Sequence, residues 1–276
     1  MKKIRSIIPI LFFVLWAGAS FAAPQRIVSL KPNITEILFA LGVGDRVVGV
    51  TKYCDYPEEA KKLPKIADYT RPFLEPIIAL KPDLVIGSRE ESSRKSIEEL
   101  EKLGIKTEIL PFTTLDETIS SILKLSGIVE RASDGEKIVE RMRARLSETK
   151  SKWERAPKRR VLAIVGRRPL IVFGRQTYMD EILQVIGAQN VVPPGSVKYP
   201  RWSAENVIAA NPDVILDFSM GSESGDPQDV LKSWENLKAV NAVRGSRVYH
   251  MDIGEFRQSP RILDGIERLA AMIHSP

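Results

Sequence analysis

Cysteine is nearly absent from this chain. Among 276 residues only Cys54 occurs, which excludes an internal disulfide and any metal site built on paired thiolates. Histidine is as scarce: His250 and His274 are the only two and stand well apart, so a self-contained histidine zinc site is excluded as well. Charge of neither sign dominates. The formal net charge is +6, and three of the positives, Lys2, Lys3 and Arg5, lie at the extreme start, leaving +3 for the remainder. That excess is too small and too scattered to mark a nucleic-acid partner. Catalytic signatures are lacking too. LGVGDRV at 41–47 has no third glycine and opens no helix, so it is not a dinucleotide loop. GSESG at 221–225 puts Glu223 where a nucleophile-elbow serine would stand. No Gly-Lys-Ser phosphate loop is present, and no two acids are singled out by spacing as a catalytic pair. Together these absences argue against an enzyme. The apolar run IIPILFFVLWAGA at 7–19 is too short to span a bilayer and is broken by Pro9.

What is present begins with that run. It follows Lys2, Lys3 and Arg5 and leads to Ser20-Phe21-Ala22, small residues at the −3 and −1 positions. This is the layout of a cleaved secretory signal over residues 1–22. No cysteine follows it, so the lipid-anchored variant is excluded, and the expected location of the mature protein is the periplasm. The remaining composition, 43% hydrophobic and 28% charged, is that of a globular protein, and the length suits two domains.

The run RIVSL (26–30) reads as a buried strand, with Asn33 capping the helix ITEILFALG that follows. A strand RVVGVT comes next, then an irregular segment rich in Pro and Tyr over 52–73. Beyond it lie a short helix, the strand DLVIG, the helix SRKSIEELEKLG, the strand KTEIL and the helix LDETISSILKLSGIV. Such alternation predicts a mostly parallel sheet with helices on both faces. Residues 134–156 interrupt it with one amphipathic helix carrying Ile138, Met142, Leu146 and Trp153 on a stripe. Alternation then resumes through VLAIV, LIVFG, YMDEILQVIG, RVYHM and a last helix RILDGIERLAAMI.

The second half repeats the first. EILFALGVGDRVV at 36–48 returns as EILQVIGAQNVV at 181–192, and EPIIALKPDLVIG at 75–87 returns as ENVIAANPDVILD at 205–217. The offsets are 145 and 130 positions, so the first half carries 15 extra residues between the two blocks. The chain is therefore read as an α/β protein: residues 24–130 form one lobe, 131–157 a connecting helix, and 158–276 a second lobe, with a ligand cleft between them. Open sheets bind ligands outside the carboxyl ends of their strands. The segments feeding that edge are aromatic, with Tyr53, Tyr56, Tyr69 and Phe73 in the first half and Tyr199 and Trp202 in the second. Ile171 and Phe173 alternate onto one face of LIVFG. Aromatic walls of this kind suit a large flat ligand, although Tyr56 and Phe73, each beside a proline, are expected individually to pack under their loops. Arg257 in GEFRQSPRI is expected to reach the cleft and offer its forked donors. Arg261 reads equally as a surface cap residue.

The ordered set RIVSLKPNITEILFALG, VVGVTKYCDYP, LEPIIALKPDLVIG, RWSAENVIAANPDVI and SPRI resembles the periplasmic substrate-binding proteins of ABC importers for cobalamin, ferric siderophores and haem. The likeness is to the cobalamin-binding members and covers nearly the whole mature chain. It implies two Rossmann-like lobes on one stiff backbone helix, no catalysis and no cofactor. It further implies cobalamin as the ligand, a permease with its ATPase subunits as partner, and a monomer. Carried over residue by residue, it implies ligand contacts from Asn33, Tyr56, Tyr69, Phe173, Tyr199, Trp202 and Arg257, and one permease-docking glutamate on each lobe, Glu75 and Glu205. Simple helix chemistry is the alternative for those glutamates, since an acid in a first turn complements the helix dipole. Tyrosines stand at Tyr69 and Tyr199, and serine at Ser88, where the cobalamin proteins carry tryptophan. Haem or a ferric siderophore, with Tyr69 as iron ligand, therefore stays open as the cargo. A tetrapyrrole- or metal-handling enzyme on the same scaffold is the reading from a different class.

Overall fold

The structure is a computed structural model that describes residues 23–68, 72–89, 94–219 and 227–274. The proposed export signal over 1–22 lies outside them. The first half builds a five-stranded sheet from β1 (Ile27–Ser29), β2 (Val47–Thr51), β3 (Lys65–Ala67), β4 (Leu84–Ser88) and β5 (Thr107–Leu110), in the order β3-β2-β1-β4-β5. Its pairings are all parallel. The helices between the strands are α1 (Pro32–Ala40), α2 (Glu58–Lys61), α3 (Leu74–Ala79), α4 (Arg94–Lys102) and α5 (Leu115–Ile128). Strands covered on both faces read as near-continuous apolar runs, and alternate residues feed two cores. Ile27, Leu84 and Ile86 join the central core, while Val28 and Val85 join an outer one with Ile77 and Leu100.

A 22-residue helix, α6 (Ala132–Trp153), leads to the second half. Ile138, Val139 and Met142 are its buried apolar positions, while Leu146 and Trp153 are half-buried against the central core. Gly135 allows α6 to lie close on α5: a Cβ there would sit 2.2 Å from Ser126 Oγ. The second sheet comprises β6 (Arg160–Arg167), β7 (Leu170–Val172), β8 (Gln189–Asn190), β9 (Val214–Asp217) and β10 (Val248–His250). Its order is β10-β9-β6-β7, with β8 on the amino-terminal half of β6. Its helices are α7 (Tyr178–Val185), α8 (Ala204–Ala210), α9 (Pro227–Trp234), α10 (Asn241–Arg244) and α11 (Ile262–His274). Among the described residues no helix is long and apolar enough to cross a membrane.

Three local expectations need correction. Asn33 does not cap α1: Lys31 is the N-cap residue and makes no side-chain cap bond, and Pro32 opens the helix, where its missing N–H costs nothing. The segment 52–73 is not wholly irregular, because α2 and the edge strand β3 form within it and take up the extra length of the first half. LIVFG does not continue the parallel alternation. It pairs antiparallel with β6 as a hairpin, Arg167 opposite Leu170.

The repeat in sequence is a repeat in geometry. The aspartate of each Pro-Asp pair accepts the backbone N–H that opens the lobe's first strand, Arg26 to Asp83 at 3.0 Å and Arg160 to Asp213 at 3.0 Å. The same two arginines each donate to the last carbonyl of a short helix or its cap, Leu80 and Ala210, both at 2.6 Å. Lys81 and Asn211, which precede the prolines, both adopt left-handed φ, 46° and 39°. The Ala-x-x-Pro-Asp phrase is thus a device that stops a helix and starts a strand.

Candidate functional site

In each sheet the strand order reverses beside the first strand, between β1 and β4 and between β6 and β9. Segments beyond the strands touch across the two halves. Asn33, just past β1, is nearly buried, and its Nδ2 donates to the Gln258 carbonyl at 3.5 Å. The Tyr178 N–H donates to the Thr113 carbonyl at 2.7 Å. The lobes thus touch along a seam, and Asn33 belongs to it.

The centre of the seam is Glu36 on α1, whose side chain is 2% exposed. It accepts hydrogen bonds from Ser259 Oγ at 2.5 Å, Arg261 Nη2 at 2.8 Å and Nε at 3.3 Å, and Arg257 Nη1 at 3.3 Å. A buried carboxylate is tolerable only when paired and hydrogen-bonded on this scale. Arg257 also grips Asp55 through both terminal nitrogens, Nη2 to Oδ2 at 3.1 Å, and donates to the Tyr53 carbonyl at 3.1 Å. Burial of Asp55 works against its charge, but the hydrogen bonds and charge of Arg257 outweigh that and hold its carboxyl below the ordinary range. Burial likewise opposes the charge of Arg257, yet Asp55 and Glu36 raise it. The guanidinium expected to meet a ligand is therefore occupied by the first lobe. Arg261 is no surface cap: besides Glu36 it donates to the Gly254 carbonyl at 2.9 Å and lies 4.3 Å above the Tyr56 ring.

The repeat supplies a second tie. Glu181 on α7, the counterpart of Glu36 in the EIL phrase, accepts the N–H of Leu115 at the start of α5 at 2.5 Å. Burial pushes its carboxyl up, the Leu115 bond working against that.

The aromatic candidates divide. Tyr53 and Tyr56 stand exposed on the turn after β2, and Tyr199 is exposed in the second lobe, at 40%, 48% and 42%. Phe173 is not a wall residue. It is 3% exposed and meets Tyr178, Tyr199 and Phe218 edge-on, with Phe218 in turn edge-on to Phe256. Trp202 does not line the same surface either. It packs half-buried on the outer core of the second sheet with Val172 and Ile215, the opposite face from Phe173. Tyr69 lies outside the described residues. A continuous series of contacts runs from Tyr199 through Phe173 and Phe218 to Phe256, whose chain neighbour Arg257 reaches Tyr53 and Asp55. Among the described residues no group of three or more His, Cys, Asp or Glu is placed to hold a metal. Cys54 is buried, its sulfur 3.2 Å from the hydroxyls of Thr35 and Thr51.

Glu75 and Glu205 lie exposed in the first turns of α3 and α8, helices that lead into β4 and β9. One turn further, Ile78 and Ile208 are also equivalent and also exposed, at 41% and 45%. The Ser203 hydroxyl and the Glu205 backbone N–H lower the Glu205 carboxyl below its ordinary value.

Sequence reasoning missed Glu36, Asp55, Ser259 and the role of Arg261. One signal was available: a glutamate heads both copies of the EIL phrase, at the same place in the repeat.

Residues 27–253 match the family described as periplasmic binding protein. A Vibrio campbellii protein named vitamin B12-binding protein is 35% identical over 218 residues, 78% of either chain. A Vibrio parahaemolyticus protein of the same name is 31% identical over 267 residues, 96% of this chain and 94% of its own. Among solved structures, the periplasmic vitamin B12 binding protein of Vibrio cholerae superimposes with a TM-score of 0.78 at 27% identity, covering 91% of this chain and 97% of that one. A periplasmic haem-binding protein from Roseiflexus, in its apo form, gives 0.80 at 30% identity, covering 91% and 98%.

Proposed function

The chain belongs to the periplasmic binding protein family, and from that membership we propose that it captures cobalamin in the periplasm and hands it to an ABC importer. It does no chemistry on its cargo, and ATP hydrolysis in the partner drives transport. The observation that carries this reading is the set of exposed tyrosines on both lobes, Tyr53 and Tyr56 on the first and Tyr199 on the second, in a chain whose long-spanning relatives bear the vitamin B12-binding name. A corrin is broad and flat with a polar rim. Tyrosine rings cover its faces at low entropic cost while their hydroxyls reach rim amides. In this reading residues 1–22 are the export signal, and Glu75 with Ile78 and Glu205 with Ile208 form two equivalent docking knobs for a two-fold permease. An acidic group beside an apolar one on each lobe suits a receiving surface with arginines around an apolar seat.

Haem is the second reading, supported by the 30% identity to the Roseiflexus protein and by the tyrosine at 69, a suitable iron ligand. Titrating the mature protein with cyanocobalamin, haemin and a ferric siderophore, followed by heat and absorbance, separates the readings. Saturable one-to-one binding of the corrinoid alone is the expected result. A tyrosinate–iron band that vanishes in Tyr69→Phe would replace cobalamin with haem.

A further inference from the structure

The turn that carries Tyr53 and Tyr56 belongs to the first lobe, where Thr51 and the buried Cys54 hold its start, but its outer part is also gripped by the second. Arg257 holds the Tyr53 carbonyl and the Asp55 carboxylate, and Arg261 covers the Tyr56 ring. Both arginines are anchored in turn by Glu36, a buried residue of the first lobe. We propose that Glu36 is a positioning residue for the ligand wall: it brings two guanidinium groups together beneath the turn at 53–56 and so fixes the tyrosines on which a ring-shaped ligand stacks.

The physical reason is electrostatic. Two partly buried arginines side by side repel, and burial and the Arg257 charge both work against the charge of Arg261, yet Glu36 outweighs them and raises its pKa. One carboxylate shared between them, with the Ser259 hydroxyl completing its shell, allows both to stay. Without that charge Arg257 follows Asp55 and Arg261 leaves the ring, losing a cation–π contact. Tyr56 then samples rotamers unsuited to stacking, and affinity falls through lost preorganisation with no ligand contact removed.

Glu181 provides an internal control. It occupies the same place in the repeat and also ties the lobes, yet its partner is the Leu115 N–H and not the turn at 53–56. The inference rests on the cleft being the ligand site, so the experiment has an arm that needs no ligand. In wild type, Glu36→Gln, Arg261→Met and Glu181→Gln, nitration of Tyr56 by tetranitromethane is followed by mass spectrometry, and cyanocobalamin affinity is measured by calorimetry. Glu36→Gln and Arg261→Met are expected to nitrate several times faster at Tyr56 and to bind about tenfold more weakly, with Glu181→Gln within about twofold of wild type on affinity. Wild-type nitration in Glu36→Gln, or equal loss of affinity in both glutamate variants, overturns the proposal. Should Glu36→Gln fail to fold, Arg261→Met decides by the same two readouts. A wild type that ignores cyanocobalamin defeats the cobalamin reading, while the nitration arm still decides the role of Glu36.

Discussion

Phe173 and Tyr199 touch edge-on, one 3% exposed and the other 42%, and this difference in burial separates their roles. Truncating a fully buried phenylalanine removes its transfer free energy and leaves a cavity, so Phe173→Ala should cost about 3–5 kcal/mol in denaturant unfolding. Asp55 belongs to the same scale. Its folded carboxyl sits below the ordinary range, with burial opposing the shift and Arg257 imposing it. A depressed folded pKa contributes stability above the unfolded value and loses it as pH falls through the folded one. The charged groups around Asp55 are Arg257 and Arg261, with Glu36 behind them, and Lys61 of α2. The melting temperature of wild type should therefore exceed that of Asp55→Asn at neutral pH, and the gap should close as pH falls below about 4. The gap is modest because the carboxylate is still more than half exposed. Tyr56 and Phe73 were not legible as exposed aromatics: their neighbouring prolines favour packing under a loop, yet they are 48% and 38% exposed. Nor was Phe173 legible as a buried one. Alternation gave the face of its strand but not what covered that face, and the cover, Phe218 backed by Phe256, comes from residues 45 and 83 positions further along the chain.

At the scale of elements, the alternation of strands and helices and the long α6 could be read from local periodicity, because each buries an apolar stripe that the sequence itself spells out. The β6–β7 hairpin could not, since a five-residue apolar run does not say whether its partner lies parallel or antiparallel. The extra residues of the first half read as loop because α2 and β3 are only four and three residues long, too short to show a period. The repeated Pro-Asp phrase was legible as a repeat, but its bonding to Arg26 and Arg160 depends on pairing across more than 50 residues. The packing of α6 makes a test of its own. In Gly135→Ala the new methyl meets the Ser126 side chain, both Oγ and Cβ, within 2.4 Å. Overpacking of this kind should destabilise by about 1–3 kcal/mol. Thermal unfolding should show the loss, and adding Ser126→Gly should recover part of it.

As a whole molecule the two lobes share one central core, with β1, α1 and α5 on one side, α7 and α11 on the other, and α6 between. Cross-lobe ties at Glu36 and Glu181 reinforce it. In the proposed docking role the equivalent glutamates at 75 and 205 act as a pair, one on each lobe. Glu75→Ala combined with Glu205→Ala should leave cyanocobalamin affinity unchanged and abolish binding to a corrinoid importer reconstituted in nanodiscs. Importer binding equal to wild type would remove the docking role. The central claim is that the cargo lies between tyrosines contributed by both lobes. Calorimetric titration of cyanocobalamin into wild type, Tyr56→Ala, Tyr199→Ala and the double variant tests it most directly. One-to-one binding in the wild type, weakened about tenfold by each change and further by both together, is what stacking energies predict; a double variant that binds as tightly as wild type would contradict it.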